Sequence, residues 1–523
     1  MKSRTRQLVA LALLFSAALL LTKFNYNVSH AGTDSAGSLQ LTADKPDTRG
    51  WRNEFAAQNG KAANGNGNKG GGGGSTCPTM PPPPTTDTRC YDAASGCLDT
   101  TFAGGAGFLH NHFGDANFPN SEQAVIVQPD GRIVVDASAR NNSLFTSFTV
   151  IRYNSDGTLD TTFGDPDSLN PTSRRGYALT KVTTGNDHPN GMALQPDGRI
   201  LVVGMADTGS AVVRYNFDGT LDTGFGNGGI ASLNFGSGKN VTAGPNRKLA
   251  IQSDGKILVG GLSGGTFAIA RLLSNGALDP TFGSGGLVKA VPSGSSNGSS
   301  SGFGLAIQRI PAVTGEERIV LGGISTVNNN ANTDWTLMRF KPNGSVDSAF
   351  GSGGTVKTVF GGFGDAIHEL AVDNSNRIVA AGNSRVANIS CGNYVIDYAV
   401  VRYNENGTLD TSFGGGKQTV DIIGMDQLYG LVIQTDDKPV VFGYSHSTDE
   451  TVQMFSLVRF NADGSRDTTF GPLANGIVRF KFGVGGLAVG LAIQPIDRKI
   501  IGIGNAEPTS GSPDDLVVVR YLP

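Results

Sequence analysis

The stretch VIRYNSDGTLDTTFG, running from Val150 to Gly164, returns with edits all the way to the C-terminus, and that recurrence restricts the fold more than any other feature of the chain. Three boxes repeat in fixed order. The first is a pair of β-branched runs around a tight turn, as in AVIVQPDGRIVV from Ala124 to Val135, which reads as a hairpin. The second is an apolar strand closed by an arginine, at Arg152, Arg214, Arg271, Arg339, Arg402, Arg459 and Arg520. The third is LDTTF and its variants, which place an acid at Asp99, Asp160, Asp222, Asp279, Asp347, Asp410 and Asp467. A short apolar run follows each third box, for example GGIASLNF from Gly228 to Phe235. One period of about sixty residues therefore reads as four antiparallel strands, one after the LDTTF box, two in the hairpin and one ending in the arginine.

That pattern predicts an all-β fold, a seven-bladed β-propeller of four-stranded antiparallel blades over residues 89–523. A unit of about sixty residues buries a marginal core alone, which argues against a string of separate domains. The termini predict closure of the ring. The chain ends at Val518–Pro523 with an arginine strand that no LDTTF box follows, and the body opens near Cys90 with a box, Leu98 to Phe102, that no arginine strand precedes. A ring joins these two halves and leaves no free sheet edge at the seam. The succession of QPDGKI-like hairpin, VVRYNxDG and LDTTFGxxG resembles the delta-sixty repeat family, and the resemblance covers residues 90–523. It implies an exported bacterial propeller and carries no activity with it. Later copies drift. Asp373-Asn374-Ser375-Asn376 and Thr435-Asp436-Asp437 lack the turn glycine, and Arg466 replaces the leucine of LDTTF.

The residues ahead of the repeats have other compositions. Lys2, Arg4 and Arg6 precede an apolar run from Leu8 to Leu21, and Ser29-His30-Ala31 offers small residues for cleavage, so residues 1–31 read as a secretory signal peptide. An uncleaved anchor is the other reading, and it is the one route by which a membrane would hold the chain. Residues 32–88 contain NGNGNKGGGGG and four consecutive prolines, and read as a disordered Gly/Pro-rich linker. Export permits disulfides. Cys90 and Cys97 are close enough to staple the first repeat, while Cys77 and Cys391 leave the full pairing open. With a net charge of −3 and only 16% charged residues, nothing calls for a nucleic acid partner. A monomer located in the periplasm, at the cell surface or outside the cell is expected.

Two groups of residues stand out as candidate sites. Asn154, Asp156 and Asp160 around Gly157 look like part of a calcium loop, but Arg152 stands where the first carboxylate belongs. The stronger expectation is a structural ion pair between each arginine and its box acid. These pairs are Arg152 with Asp160, Arg214 with Asp222, Arg271 with Asp279, Arg339 with Asp347, Arg402 with Asp410, Arg459 with Asp467 and, across the termini, Arg520 with Asp99. No metal or other cofactor is expected, calcium being the lesser reading. The second group is Asp187, Asp365 and Asp426, which share one register eight residues before the hairpin turn and belong to connections that crowd one mouth of a propeller. They would hold a cation or a sugar hydroxyl there, or simply cap their own turns.

The hairpin turns and LDTTF boxes fall at one end of the blades. The other end carries connections that do not repeat, including Ser293 to Gly304, Asn328 to Trp335, Asn383 to Tyr398 and Ser445 to Met454. Loops on a rigid scaffold carry function, which nominates Trp335, Tyr394 and Tyr444 as binding aromatics and Asn141 and Asn142 as polar contacts. No nucleophile elbow, zinc motif or phosphate loop is present. The expected function is an exported, non-catalytic scaffold that binds a protein or glycan at the cell envelope. The alternative is a polysaccharide hydrolase or lyase working through carboxylates at the channel mouth.

Overall fold

The computed structural model describes residues 31–33, 39–41, 90, 94–111, 124–140, 145–167, 170, 172–206, 209–234, 248–295, 300–310, 315–326, 333–360, 364–388, 393–446, 453–510 and 514–523. The chain divides into two compact units, Met1–Gly74 and Ser75–Pro523. In the first, Ala31–Thr33 and Leu39–Leu41 pair antiparallel. Most of this ribbon falls in the stretch read from composition as disordered linker. It joins backbone to backbone, an interaction that composition does not report, and at two short strands it is marginal by itself. The apolar run from Leu8 to Leu21, the rest of the linker, Cys77, Cys391, Asn141 and Asn142 lie outside the described residues.

The second unit is built of strands, with one 3-10 turn at Ala103–Gly105 among its described residues. The first sheet holds Val125–Val127, Ile133–Ala139, Ser147–Tyr153 and Tyr177–Thr180. The second holds His188–Leu194, Ile200–Ala206, Gly209–Tyr215 and Ile230–Leu233. The third holds Lys248–Ile251, Ile257–Ser263, Thr266–Leu272 and Leu287–Ala290. The fourth holds Ser300–Ile310, Glu316–Thr326, Thr333–Phe340 and Thr355–Thr358. An eight-stranded sheet follows, joined at its middle by one parallel bridge from Ile396 to Met425. One half is Ala366–Val372, Ile378–Asn388, Asn393–Tyr403 and Lys417–Val420. The other is Met425–Ile433, Pro439–His446, Gln453–Arg459 and Ile477–Phe480. The last sheet takes Gly485–Ile493, Ile500–Glu507 and Asp515–Tyr521 from the C-terminus and Phe108–Asn111 from the start of the repeats.

Within each set the hairpin strands come first, then the arginine strand, then the strand after the LDTTF box. In the order of the boxes along the chain that post-box strand stands ahead of the next hairpin. It belongs instead to the preceding sheet, because the box turns the chain back so tightly that the strand leaving it pairs with the arginine strand entering it. The chain crosses to the next sheet only afterwards. The same rule completes the last sheet, where Leu109 pairs with Val518 across the termini. Cys90 and Cys97, just ahead of that strand, are joined by a disulfide.

The core lies between sheets. Its buried residues fall into seven clusters, each filled from two consecutive sets of strands. One of them mixes Val125, Ile133 and Ile151 of the first sheet with Ile501, Leu516 and Val518 of the last. Sheets of period-2 alternation present apolar residues on both faces here, since each is covered on both sides. The first strands also bulge at one shared register, at Asn190, Phe303, His368, Tyr429 and Val489.

The pairing of the two ends of the chain is directly testable. In Leu109→Cys combined with Val518→Cys the directly opposed positions suit disulfide geometry. Oxidation of the folded protein is expected to give a 109–518 cross-linked peptide by mass spectrometry, and oxidation in denaturant is expected not to.

Candidate functional site

Both groups of candidate residues occupy opposite ends of the sheets, and the seam at the tight-turn end explains the repeat. All seven arginines reach their box acids through Nε, at 2.6–2.9 Å. The Asp Oδ2 that receives each guanidinium also receives a second cation, the basic residue just past the hairpin turn, such as Arg132 at 3.3 Å from Asp160, Lys438 at 3.1 Å from Asp467 and Lys499 at 2.9 Å from Asp99. Oδ1 accepts from the residue two positions on, as from the backbone N–H and hydroxyl of Thr162 at 3.0 and 2.6 Å. The Asp-x-Thr part of LDTTF is therefore an Asx turn that saturates the carboxylate.

The guanidinium is equally occupied. It lies over the ring of its own box phenylalanine, at 4.3–4.6 Å from the centroid in all seven copies, those rings being Phe102, Phe163, Phe225, Phe282, Phe350, Phe413 and Phe470. In six copies its Nη1 donates to a turn carbonyl of the next sheet. Arg152 donates to Phe217, Arg214 to Ser274, Arg402 to Ala462 and, across the termini, Arg520 to Ser155. The ring packs against the turn glycine of that neighbour. A Cβ on Gly157 would meet Phe102 at 2.8 Å and one on Gly219 would meet Phe163 at 2.7 Å, while their φ of +91° and +82° already calls for glycine. The box turns hold no metal loop, because the guanidinium fills the centre. In the hairpin turns that lost glycine, Asn376, Asp437 and Arg498 adopt the same left-handed conformation, with φ of 63°, 61° and 62°. Asn and Asp tolerate it better than Arg does.

At the opposite end the expected carboxylates serve their own turns. Asp187 is fully buried and accepts from the amides of Val182 and Thr183 at 2.9 and 3.1 Å and from the Thr183 hydroxyl at 2.6 Å, with Lys181 Nζ 3.6 Å away. Asp365 accepts from the amides of Phe360 and Arg385 at 3.1 and 2.9 Å. Asp426 accepts from the amide of Ile422 at 2.6 Å. The aromatics lie mostly inside. Trp335 is completely buried, donates from Nε1 to the Asn383 carbonyl at 3.0 Å and packs edge-on to Phe360. Its position one strand in from the sheet edge puts it in the intersheet core, which local sequence does not distinguish from a loop aromatic. Tyr444 is 9% exposed and stacks between Tyr429 and His446. Of Tyr394 only the backbone, in the strand Asn393–Tyr403, is described.

A different set of acids converges. One carboxylate oxygen each of Asp397, Asp421 and Asp426 lies within 4.8 Å of the others. Burial and the charge of Asp421 push the Asp397 carboxyl up to about 6. Burial, outweighing amide and Ser445 hydrogen bonds and helped by Asp421, pushes Asp426 up to about 7. Asp397 and Asp421 were not singled out from sequence, though aligning the repeats on their arginines finds the first. The residue five before the arginine is Asp in three copies, Asp334, Asp397 and Asp515. Asp421 follows its edge strand directly, as Lys181 follows Tyr177–Thr180 in the first sheet.

The seam makes two measurable demands. Arg402→Met leaves Asp410 buried beside a partly buried Arg377, and is expected to cost about 3 kcal/mol in urea unfolding, with Arg402→Met combined with Asp410→Leu costing less than the sum of the singles. For Asp99 and Asp467 burial raises the pKa but is outweighed, by Lys499, Thr101 and Arg520 at Asp99 and by Thr469, Lys438 and Arg459 at Asp467, so that both are lowered to about 2. A lowered carboxyl contributes stability that is complete above its unfolded value near 4 and lost as pH falls through its folded value. The urea midpoint is therefore expected to drop between pH 4 and pH 2.

Six segments, residues 128–163, 195–225, 252–282, 318–350, 374–413 and 434–470, match the model of a β-propeller domain of unknown function, DUF5122. Each runs from or near a hairpin turn to the phenylalanine of an LDTTF box. No curated protein matches the chain. Among solved structures, a protein of unknown function from Dyadobacter fermentans is 10% identical, with 80% of this chain and 99% of that one covered at a TM-score of 0.41. Extracellular domains 1-2 of Drosophila Semaphorin 1b are 11% identical, with 78% and 86% covered at 0.41. An alpha-L-arabinofuranosidase from Fusarium graminearum is 10% identical, with 79% and 97% covered at 0.39. With four-stranded antiparallel sheets in chain order, a core between consecutive sheets and repeats that match a propeller model, the chain is a β-propeller repeat protein.

Proposed function

We propose that this chain is an exported, non-catalytic scaffold of the delta-sixty type, a closed seven-bladed propeller that binds a protein or glycan at the cell envelope through its non-repeating end. One observation carries the reading, the contrast between the two ends of the sheets. At one end the same Arg–Asp–Phe seam recurs seven times and pairs each guanidinium with a carboxylate. At the other the connections differ in length and composition from copy to copy. A rigid frame with variation confined to one surface is how loops acquire binding roles. Closure is supported by the pairing of Phe108–Asn111 with the C-terminal strand and by the shared core of the first and last sheets. Against the hydrolase or lyase stands the engagement of Asp187, Asp365 and Asp426 by backbone amides.

The test is a glycan array and an envelope cross-linking pull-down with the full chain. Binding is expected to survive Arg498→Gly at the seam end. It is expected to be lost when the connections between Ala290 and Ser300 and between Asn388 and Asn393 are replaced by short Gly/Ser loops. Cleavage of a polysaccharide by the wild type, abolished in Asp365→Asn, would reverse the assignment.

A further inference from the structure

We propose that Asp397, Asp421 and Asp426 form a calcium site at the non-repeating end of the protein. The three carboxylates come from three connected places. Asp397 lies in the arginine strand Asn393–Tyr403, Asp421 directly after the edge strand Lys417–Val420, and Asp426 in the first strand of the adjoining half-sheet. The parallel bridge between Ile396 and Met425, which fuses the two halves into one eight-stranded sheet, brings them together.

Three observations point to a bound cation. The first is the fate of the equivalent acids. Asp515, in the same register as Asp397, pairs with His110 at 2.9 Å, and Asp334 faces Lys357. His110 and Lys357 occupy one register of their edge strands, opposite Val517 and Thr336, and in the Asp397 sheet that register holds Thr419. In the first sheet the position of Asp421 is taken by Lys181, which stands 3.6 Å from the buried Asp187. Where the sister repeats supply an amine or an imidazole, this one supplies a third carboxylate.

The second is the unmet polar groups at the cluster. Oδ1 of Asp397 is buried without a hydrogen-bond partner. Ser384 is completely buried, its hydroxyl also lacks a partner, and it lies directly opposite Asp397 in the ladder, hence on the same face of the sheet. Buried oxygens normally find a partner, and two such atoms beside an acid cluster call for a ligand.

The third is size and hardness. All the oxygens are hard donors, suited to calcium or magnesium. Calcium bonds oxygen at about 2.3–2.6 Å, so two ligands of one ion stand up to about 5 Å apart, whereas magnesium at about 2.1 Å spans only about 4 Å. The three carboxylate oxygens, all within 4.8 Å of one another, fall inside the span of one calcium ion.

The test uses the full chain, stripped with chelator and then titrated with calcium chloride or magnesium chloride. Calcium is expected to raise the melting temperature of the wild type by several degrees and to bind with one-to-one stoichiometry by calorimetry, magnesium having a smaller effect. Asp421 is exposed, so its substitution spares the core. Asp421→Lys copies the arrangement at Lys181 and is expected to be at least as stable as the wild type in chelator and indifferent to calcium. Asp421→Asn is expected to bind calcium at least tenfold more weakly. The proposal is overturned if the wild type shows neither shift nor binding heat with calcium, or if Asp421→Asn and Asp421→Lys respond as the wild type does.

Discussion

The buried guanidinium is the constraint on which the rest of the architecture depends. A charge removed from water has to be bonded on all sides or it destabilises the fold. Arg152, Arg214, Arg271, Arg339, Arg402 and Arg520 meet that requirement with partners from two sheets. The carboxylate and aromatic ring come from the arginine's own sheet, and the carbonyl comes from the turn of the next. Units of about sixty residues, marginal as independent cores, are thus coupled to their neighbours by polar bonds as well as by the apolar clusters between sheets. The coupling includes the two ends of the chain, since Arg520 and Asp99 make the same contact as the six internal pairs.

That seam also explains which residues repeat. The arginine, the box aspartate, the threonine after it, the phenylalanine and the turn glycine each occupy a position that one contact dictates. The basic residue past the hairpin turn belongs with them, because it is the second cation on each carboxylate. At the far end no contact recurs in all seven copies among the described residues, and composition varies. The variation has chemical consequences. The same register carries Asp334 facing a lysine, Asp515 facing a histidine and Asp397 facing two more acids.

Most of the scaffold was legible in the sequence because its determinants are local and occur seven times. The ion pairs could be read from arginine and aspartate at constant separation, and the link between the termini from a repeat split in two. The assignment of the post-box strand was not legible. The order of boxes along the chain is the same whether that strand closes one sheet or opens the next, and only the tightness of the turn decides it. Trp335 and Tyr444 illustrate the other failure. A residue near a variable connection can face the loop or the neighbouring sheet, and two positions of strand register separate these outcomes.

The sequence by itself determined the all-β repeat, the partner of each arginine and the end of the sheets where variation gathers, since periodicity and spacing encode contacts that recur. Only the tertiary structure decided which acids meet. Asp187, Asp365 and Asp426 share a register, yet each is held by the amides of its own turn, while Asp426 meets Asp397 and Asp421 from places of unrelated register. The cause is the bridge between Ile396 and Met425, a single pairing between adjoining half-sheets that no repeat predicts. Proximity across a sheet junction depends on backbone geometry, and one chain of letters does not contain it.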